Sequence, residues 1–229
     1  MIKQKILSGL FLTLILTTCL AQNSVNQFDN NGERHGLWAK NYEGTDQKRY
    51  EGNFKNGKEI GTFKYYKLKD GKSVLSATKV FNEFNNIAEV TFFTSDGKVV
   101  STGKMDKKKF IGKWLYYHKN SNQLMIEEHY NDEGLLDGKR IVYYENGNVA
   151  EDTNYKNDKL NGVAKWFTKA KQNIRTITYL NGERNGLVIN YDGKGNKVSE
   201  GYYKGDQKTG VWKYYKDGVL SKEKDHGAN

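Results

Sequence analysis

The sequence predicts an all-β protein, an elongated single-layer antiparallel β-meander of about eight tandem β-hairpin repeats. Three observations predict it. Glycine recurs at Gly36, Gly61, Gly112, Gly138, Gly162, Gly186 and Gly210, with Ala88 in an eighth place, at steps of 25, 27, 24, 26, 24, 24 and 24 residues. Five residues after each anchor stand Asn41, Tyr66, Phe93, Tyr117, Tyr143, Phe167, Tyr191 and Tyr215. Seven of these eight are aromatic in a chain that is 13% aromatic, so chance explains the pattern poorly. Proline is absent from all 229 residues, against about 5% in ordinary usage. Proline removes a ladder donor and is expelled from paired strands, so its absence suits a chain spent on β-ladder. A period of this length builds a linear array of small units, each resting on its neighbours.

Each unit reads as strand, turn, strand, turn. In the repeat from Gly112 to Gly138, a β-forming run over 113–117 precedes Asn120-Ser121-Asn122, and a second run over 123–130 precedes Asn131-Asp132-Glu133-Gly134. Sister repeats carry Asp70-Gly71, Asp96-Gly97, Asn146-Gly147, Asp192-Gly193 and Asp217-Gly218 at the first turn. Asx-Gly between two β-runs predicts a tight hairpin whose two central residues take positive φ. The second turn is Lys-Asn-Gly-Lys at 55–58, Lys-Asn-Asp-Lys at 156–159 and Leu-Asn-Gly-Glu at 180–183.

Strand alternation puts the second and fourth residues after the anchor on one face and the fifth on the other. The second and fourth positions hold Trp38/Lys40, Phe63/Tyr65, Val90/Phe92, Trp114/Tyr116, Arg140/Val142, Ala164/Trp166, Val188/Asn190 and Trp212/Tyr214. With no helix-period segment to cover it, the sheet is expected to curl and bury one aromatic row. The anchor glycines fit places where positive φ or close backbone approach is required. Ala88, which follows a longer insert over 73–86, predicts local irregularity.

Residues 1–21 read as a secretory signal: two lysines, an apolar run over 6–16, then small and polar residues ending at Ala21. Residues 22–229 form the repeat array. Two export readings stand, soluble release and a lipid anchor on Cys19, because Leu16-Thr17-Thr18-Cys19 resembles a lipobox with Thr18 departing from the usual small residue. The location expected is therefore periplasmic, cell-surface or secreted. A single cysteine excludes an intramolecular disulfide. Sixteen tyrosines, each with a large apolar face and a wet hydroxyl, suit a half-exposed sheet better than a deep core.

The order Tyr-Lys-Asn-Gly-Lys-x-x-Gly-x-Trp-x-x-Tyr-Tyr-x-x-Gly, as in NGERNGLVINYDGKGNKVSEGYYKGDQKTGVWKYYKDG, resembles MORN repeats (membrane occupation and recognition nexus) over residues 30–220. It is most similar to the bacterial variant found in proteins labelled YwqK-family antitoxins. The resemblance implies a β-hairpin ribbon and a non-catalytic, interaction-type role. An export signal departs from what neutralising a cytosolic toxin would need. Gly-x-Trp-x-Tyr-Tyr with Asp-Gly turns also resembles cell-wall choline-binding repeats, but those carry more tryptophan than Trp38, Trp114, Trp166 and Trp212 supply.

No constellation of catalytic residues emerges. His35, His118, His129 and His226 lack metal-ligand spacing; Glu127 and Glu128 fall on opposite faces as neighbours on a strand, Asp132 and Glu133 lie in a turn, and a working acid–base pair would have to come from different strands. The expectation is a protein that is not an enzyme and holds no cofactor or metal. The tryptophan row reads first as structural stacking within the sheet; read as a surface, Trp38, Trp114, Trp166, Trp212, Tyr116 and Tyr214 are the candidate binding residues. Thirty-seven lysines and arginines against 27 acids give a net charge of +10, densest at Lys104 and Lys107-Lys108-Lys109. That stretch reads either as a solvated turn or as a contact for an anionic surface; an exported chain gives no reason to expect nucleic acid. The function expected is an exported scaffold binding another protein or an envelope component. The alternatives are a carbohydrate or cell-wall binding module, and an antitoxin- or immunity-type protein.

Overall fold

The computed structural model describes residues 24–228. The readings of 1–21 as an export signal and of Cys19 as a lipid-attachment point lie outside the described residues. Eighteen strands and no helix are present among them. They are β1 (Gln27–Phe28), β2 (Arg34–Asn41), β3 (Lys48–Lys55), β4 (Lys58–Lys69), β5 (Lys72–Phe81), β6 (Ile87–Phe93), β7 (Val99–Asp106), β8 (Lys109–Tyr117) and β9 (Leu124–Tyr130). There follow β10 (Gly138–Tyr143), β11 (Val149–Lys156), β12 (Lys159–Leu160), β13 (Gly162–Phe167), β14 (Asn173–Leu180), β15 (Glu183–Tyr191), β16 (Lys197–Lys204), β17 (Gln207–Lys216) and β18 (Val219–Asp225). Successive strands pair antiparallel along the chain, with β11 pairing both the two-residue β12 and β13. The result is one open sheet, a meander of eight hairpins preceded by the short cap β1.

Two irregularities repeat with the sequence. Inside each hairpin the return strand carries one extra residue opposite the fourth and fifth positions; Tyr116 pairs Ile126 and Tyr117 pairs Leu124, leaving Met125 over. Between hairpins the outgoing strand carries two extra residues at the anchor. Thr102 pairs Leu115 and Lys104 pairs Ile111, so Gly103 alone faces residues 112–114. The same holds at Gly52 against 61–63 and Gly201 against 210–212. Such bulges kink a strand and raise its twist. All seven anchor glycines take positive φ, from 62° to 117°.

Ala88 corrects the expectation of irregularity. The pairing of β5 with β6 runs from Ala77↔Phe92 to Phe81↔Ala88 without a shift, the one regular junction between hairpins. The extra residues are absorbed in the longer β4–β5 hairpin and in the loop over 82–86, so no bulge forms and a Cβ fits. The Asx-Gly turns also divide. Asp70-Gly71 and Asp217-Gly218 have positive φ at both residues, as expected. At Asp96-Gly97 and Asn146-Gly147 only the glycine does, and in the loop over 192–196 the left-handed residue is Gly195 rather than Gly193. These are longer loops closed by bonds such as Thr94 N–H to Lys98 O at 2.8 Å. The turns with paired positive φ lie mostly at the second turn: Asn56-Gly57, Asn157-Asp158 and Asn181-Gly182.

The core is a row on one face. Second-position residues fill it: Phe63, Val90, Trp114, Ala164, Val188 and Trp212 are at most 4% exposed. Each rests on the return strand before it, and the sizes compensate. Phe63, Trp114 and Trp212 lie over Gly52, Gly103 and Gly201, whereas the smaller Val188 lies over Ile177. Rings from neighbouring strands cover the row. Phe28, Trp38, Phe54, Phe63 and Phe81 form an edge-to-face series with centroids 5.1–5.9 Å apart. Phe110 stacks on Trp114 at 3.9 Å. A single sheet can thus hide large side chains without a second layer.

Candidate functional site

The six candidate surface residues do not form one exposed stripe. Trp114 is fully buried and Trp212 is 2% exposed, so both belong to the core and are unavailable to a ligand. Their indole N–H groups donate to Lys104 O at 2.9 Å and Tyr202 O at 3.2 Å on the strand before. Trp38 does the same to Gln27 O at 3.0 Å. The reason is the bulge: it tucks the second-position ring onto the preceding strand instead of leaving it on the surface. Trp38, Trp166, Tyr116 and Tyr214 are half-buried. Trp166 stands at the fourth position, where Tyr116 and Tyr214 stand in other repeats.

Where Arg140 replaces the core ring, charges take over. Its Nε donates to Glu128 at 2.9 Å and its Nη1 to Glu151 at 2.7 Å. Tyr130 donates to Glu128 at 2.6 Å and Trp166 Nε1 to Glu151 at 3.2 Å. Burial, followed by the bond to Glu128, holds the Tyr130 phenol above its ordinary range. These carboxylates are consumed by structure. The opposite face has recurrent clusters of its own. Lys48 and Tyr66 both bond Glu51, as Lys197 and Tyr215 both bond Glu200. The lysines hold both carboxyls below the usual range, and burial with the Glu51 bond pushes the Tyr66 phenol up to about 12. No group of three or more His, Cys, Asp or Glu side chains is placed to hold a metal among the described residues.

A different site gathers at the second turns of the early repeats. The period brings the start of β2, the Asn56-Gly57 turn, the loop over 82–86 and the Lys107-Lys108 turn side by side. They line a recess of about 570 Å³ with Phe54, Tyr65 and Phe81 in its floor. Five cations surround it, Arg34, Lys58, Lys79, Lys107 and Lys108, with Glu59 the single acid in its lining. None of the five forms an ion pair within 4.0 Å among the described residues. The Arg34 guanidinium sits 5.0 Å from the Trp38 ring centroid and 5.1 Å from that of Phe54; Lys79 Nζ sits 5.7 Å from that of Tyr65. Ring faces therefore hold two of the charges in place without neutralising them.

Beside the recess, the loop over 82–86 displays Phe84, which is 93% exposed. The loop is built to hold it there. Asn82 Oδ1 accepts from the N–H groups of Phe84 and Asn85 at 2.8 and 3.0 Å. Asn85 Oδ1 accepts from Ile87 N–H at 2.9 Å and from Asn82 Nδ2 at 2.8 Å. Lys55 ties Glu83 to the neighbouring turn at 2.6 Å. An aromatic ring presented on a rigid loop next to unpaired cations is equipped to enter an apolar depression framed by acids.

The sequence marked Lys107-Lys108 as basic but missed the site around it. Arg34, Lys58 and Lys79 are scattered in the chain and meet only once strand register is known. The available signal was the 27-residue step before Ala88, which announces an insert carrying Phe84. No protein-family model and no curated protein sequence matches this chain.

Proposed function

We propose that the protein is an exported, non-enzymatic repeat scaffold that binds an acidic partner protein through the recess between Arg34 and Lys108, with Phe84 as the apolar anchor. One observation carries the reading: five cations free of ion pairs surround an aromatic floor beside a Phe held almost wholly in solvent. Isolated apolar side chains on a surface are ordinary. A preorganised ring adjoining a single-sign charge cluster is a different matter, because it combines steering with a hot-spot anchor. The MORN-like repeat order supports an interaction role, and the engagement of Glu128 and Glu151 by Arg140 supports a non-catalytic one.

The experiment is crosslinking and affinity capture from intact producing cells, comparing wild type with Phe84→Ala and with Lys107→Glu/Lys108→Glu. The expected result is an acidic protein captured by wild type, lost above physiological salt, and at least about tenfold depleted with either variant. Equal capture by all three chains would overturn the assignment of the recess. Both variants alter exposed positions, so their melting temperatures should match wild type.

A further inference from the structure

On the face that carries the core, the fourth-position residues form a second row nearer the first turns. Tyr65, Phe92, Tyr116, Trp166 and Tyr214 give it rings; Lys40, Val142 and, on β15, Asn190 take the other places. Register fixes what lies between the last two rings. Trp166 pairs Arg175, Arg175 pairs Asn190, Asn190 pairs Ser199 and Ser199 pairs Tyr214. Three consecutive rungs are therefore polar, over four strand spacings, on the order of 19 Å from Trp166 to Tyr214.

The three polar side chains are joined to one another. Arg175 Nε donates to Asn190 Oδ1 at 2.9 Å, and Asn190 Nδ2 donates to Ser199 Oγ at 2.9 Å. Where a ring would have filled the row they leave an open recess of about 680 Å³, walled by Trp166 and flanked by Ile174, Tyr191 and Val198. Arg175 is exposed and forms no ion pair among the described residues, and its Nη groups have no hydrogen bond there. The acid nearest the Trp166 end, Glu151, is held by Arg140 and by the Trp166 indole itself.

We infer that this slot is a saccharide-binding site selective for a sugar unit that bears a carboxylate. The half-buried indole of Trp166 offers a flat apolar wall to the C–H face of a pyranose. Asn190 and Ser199 supply donors and acceptors for hydroxyls along the floor, each with capacity beyond the bonds they already make. The Arg175 fork presents two N–H groups to a carboxylate in bidentate geometry. Tyr191 and Val198 keep the slot partly apolar, as small-ligand sites are. The site lies in the sixth and seventh repeats, separate from the basic recess, and does not depend on the reading given for that recess.

The test is titration of the full chain with tetragalacturonate, an acidic oligosaccharide, and with chitotetraose, a neutral one, following the Trp166 indole N–H by NMR. Trp166 is expected to shift with the acidic probe and at least about tenfold more weakly with the neutral one. Asn190→Tyr restores the ring that sister repeats carry, so it should fold at least as well as wild type and lower affinity at least about tenfold. Arg175→Gln, at an exposed position, should remove the preference for the acidic probe. Lys107→Glu/Lys108→Glu should leave the Trp166 titration unchanged, which separates this site from the recess. No Trp166 response at millimolar tetragalacturonate, equal response to both probes, or undiminished binding by Asn190→Tyr or Arg175→Gln would overturn the inference.

Discussion

The indole of Trp114 lies against the α-carbon of Gly103 so closely that a β-carbon there would stand 2.3 Å from its Cδ2. Neither residue is interchangeable without the other. A ring of this size reaches zero exposure in a single sheet only because the strand beneath offers no side chain. Gly103→Ala should destabilise by about 1–3 kcal/mol through overpacking, and Trp114→Ala by about 3–5 kcal/mol through the lost ring. Where the core residue is Val188, the strand beneath carries Ile177, so Gly103→Ala with Trp114→Val should cost less than the two single changes together. A coupling of about 0.5–3 kcal/mol in urea unfolding is expected; strict additivity would refute size compensation.

The anchor position makes a separate prediction, because its demand is on the backbone. Gly112 has φ of 62° and open space where a Cβ would go, so Gly112→Ala should cost about 1–2 kcal/mol from conformation alone. Gly112→Asn should recover part of this, since Asn tolerates the left-handed region. Ala88 has the opposite requirement. It is 2% exposed in a regular stretch of ladder, so Ala88→Gly should destabilise by about 0.5–1 kcal/mol. Thermal melts of the three variants check the contrast, and a gain on Ala88→Gly would show that the third repeat is strained after all.

The number of hairpins, their order and the shared face of Phe63, Trp114 and Trp212 were legible because each depends on local periodicity. The anchor glycines were legible as backbone positions for the same reason. The two-residue bulge was not, since alternation of side chains is blind to how many residues face one partner. That bulge carries Trp114 and Trp212 into the core, in keeping with the stacking reading of the tryptophan row. Ala88 misled for a related reason: the missing glycine marked a missing bulge, a gain in regularity. Sites were least legible, because Arg34, Lys58, Lys79 and Lys107 converge only through register, and Asn190 means something only beside Trp166 and Tyr214.

The charged break in the core row can be treated as a replaceable unit. Arg140 stands where Trp114 stands one repeat earlier, and Glu128 stands where Gly103 does. Arg140→Ala leaves Glu128 and Glu151 facing each other without their shared cation. Fully buried pairs broken this way cost 3–5 kcal/mol. Here the three side chains are 13–25% exposed, so about 2 kcal/mol is the better expectation. Replacing both members with the sister pair, Glu128→Gly with Arg140→Trp, should recover most of that loss. If the double variant is no more stable than Arg140→Ala, the repeats are less equivalent than their register implies.

His226 supplies a pH dependence at the C-terminal edge. Its backbone N–H bonds Gly210 O at 3.0 Å, its ring meets Trp212 at 6.2 Å, and its Nε2 is inaccessible and without a partner although the residue sits at the rim. Desolvation, helped by the charges of Lys224 and Lys208 and opposed by Asp225, lowers its affinity for a proton. The unfolded chain therefore takes up a proton near the ordinary histidine value of about 6.5, while the folded chain does not until lower pH. Stability should thus fall as pH drops below about 6.5, down to the depressed folded value. The carboxyls of Glu51 and Glu200 are shifted in the same downward sense but act in a lower window, since their stabilisation is lost only below their ordinary value. Melting temperatures between pH 5.5 and 7.5 isolate the histidine. His226→Phe keeps the ring against Trp212 and should flatten that slope; an unchanged slope would place the titration elsewhere.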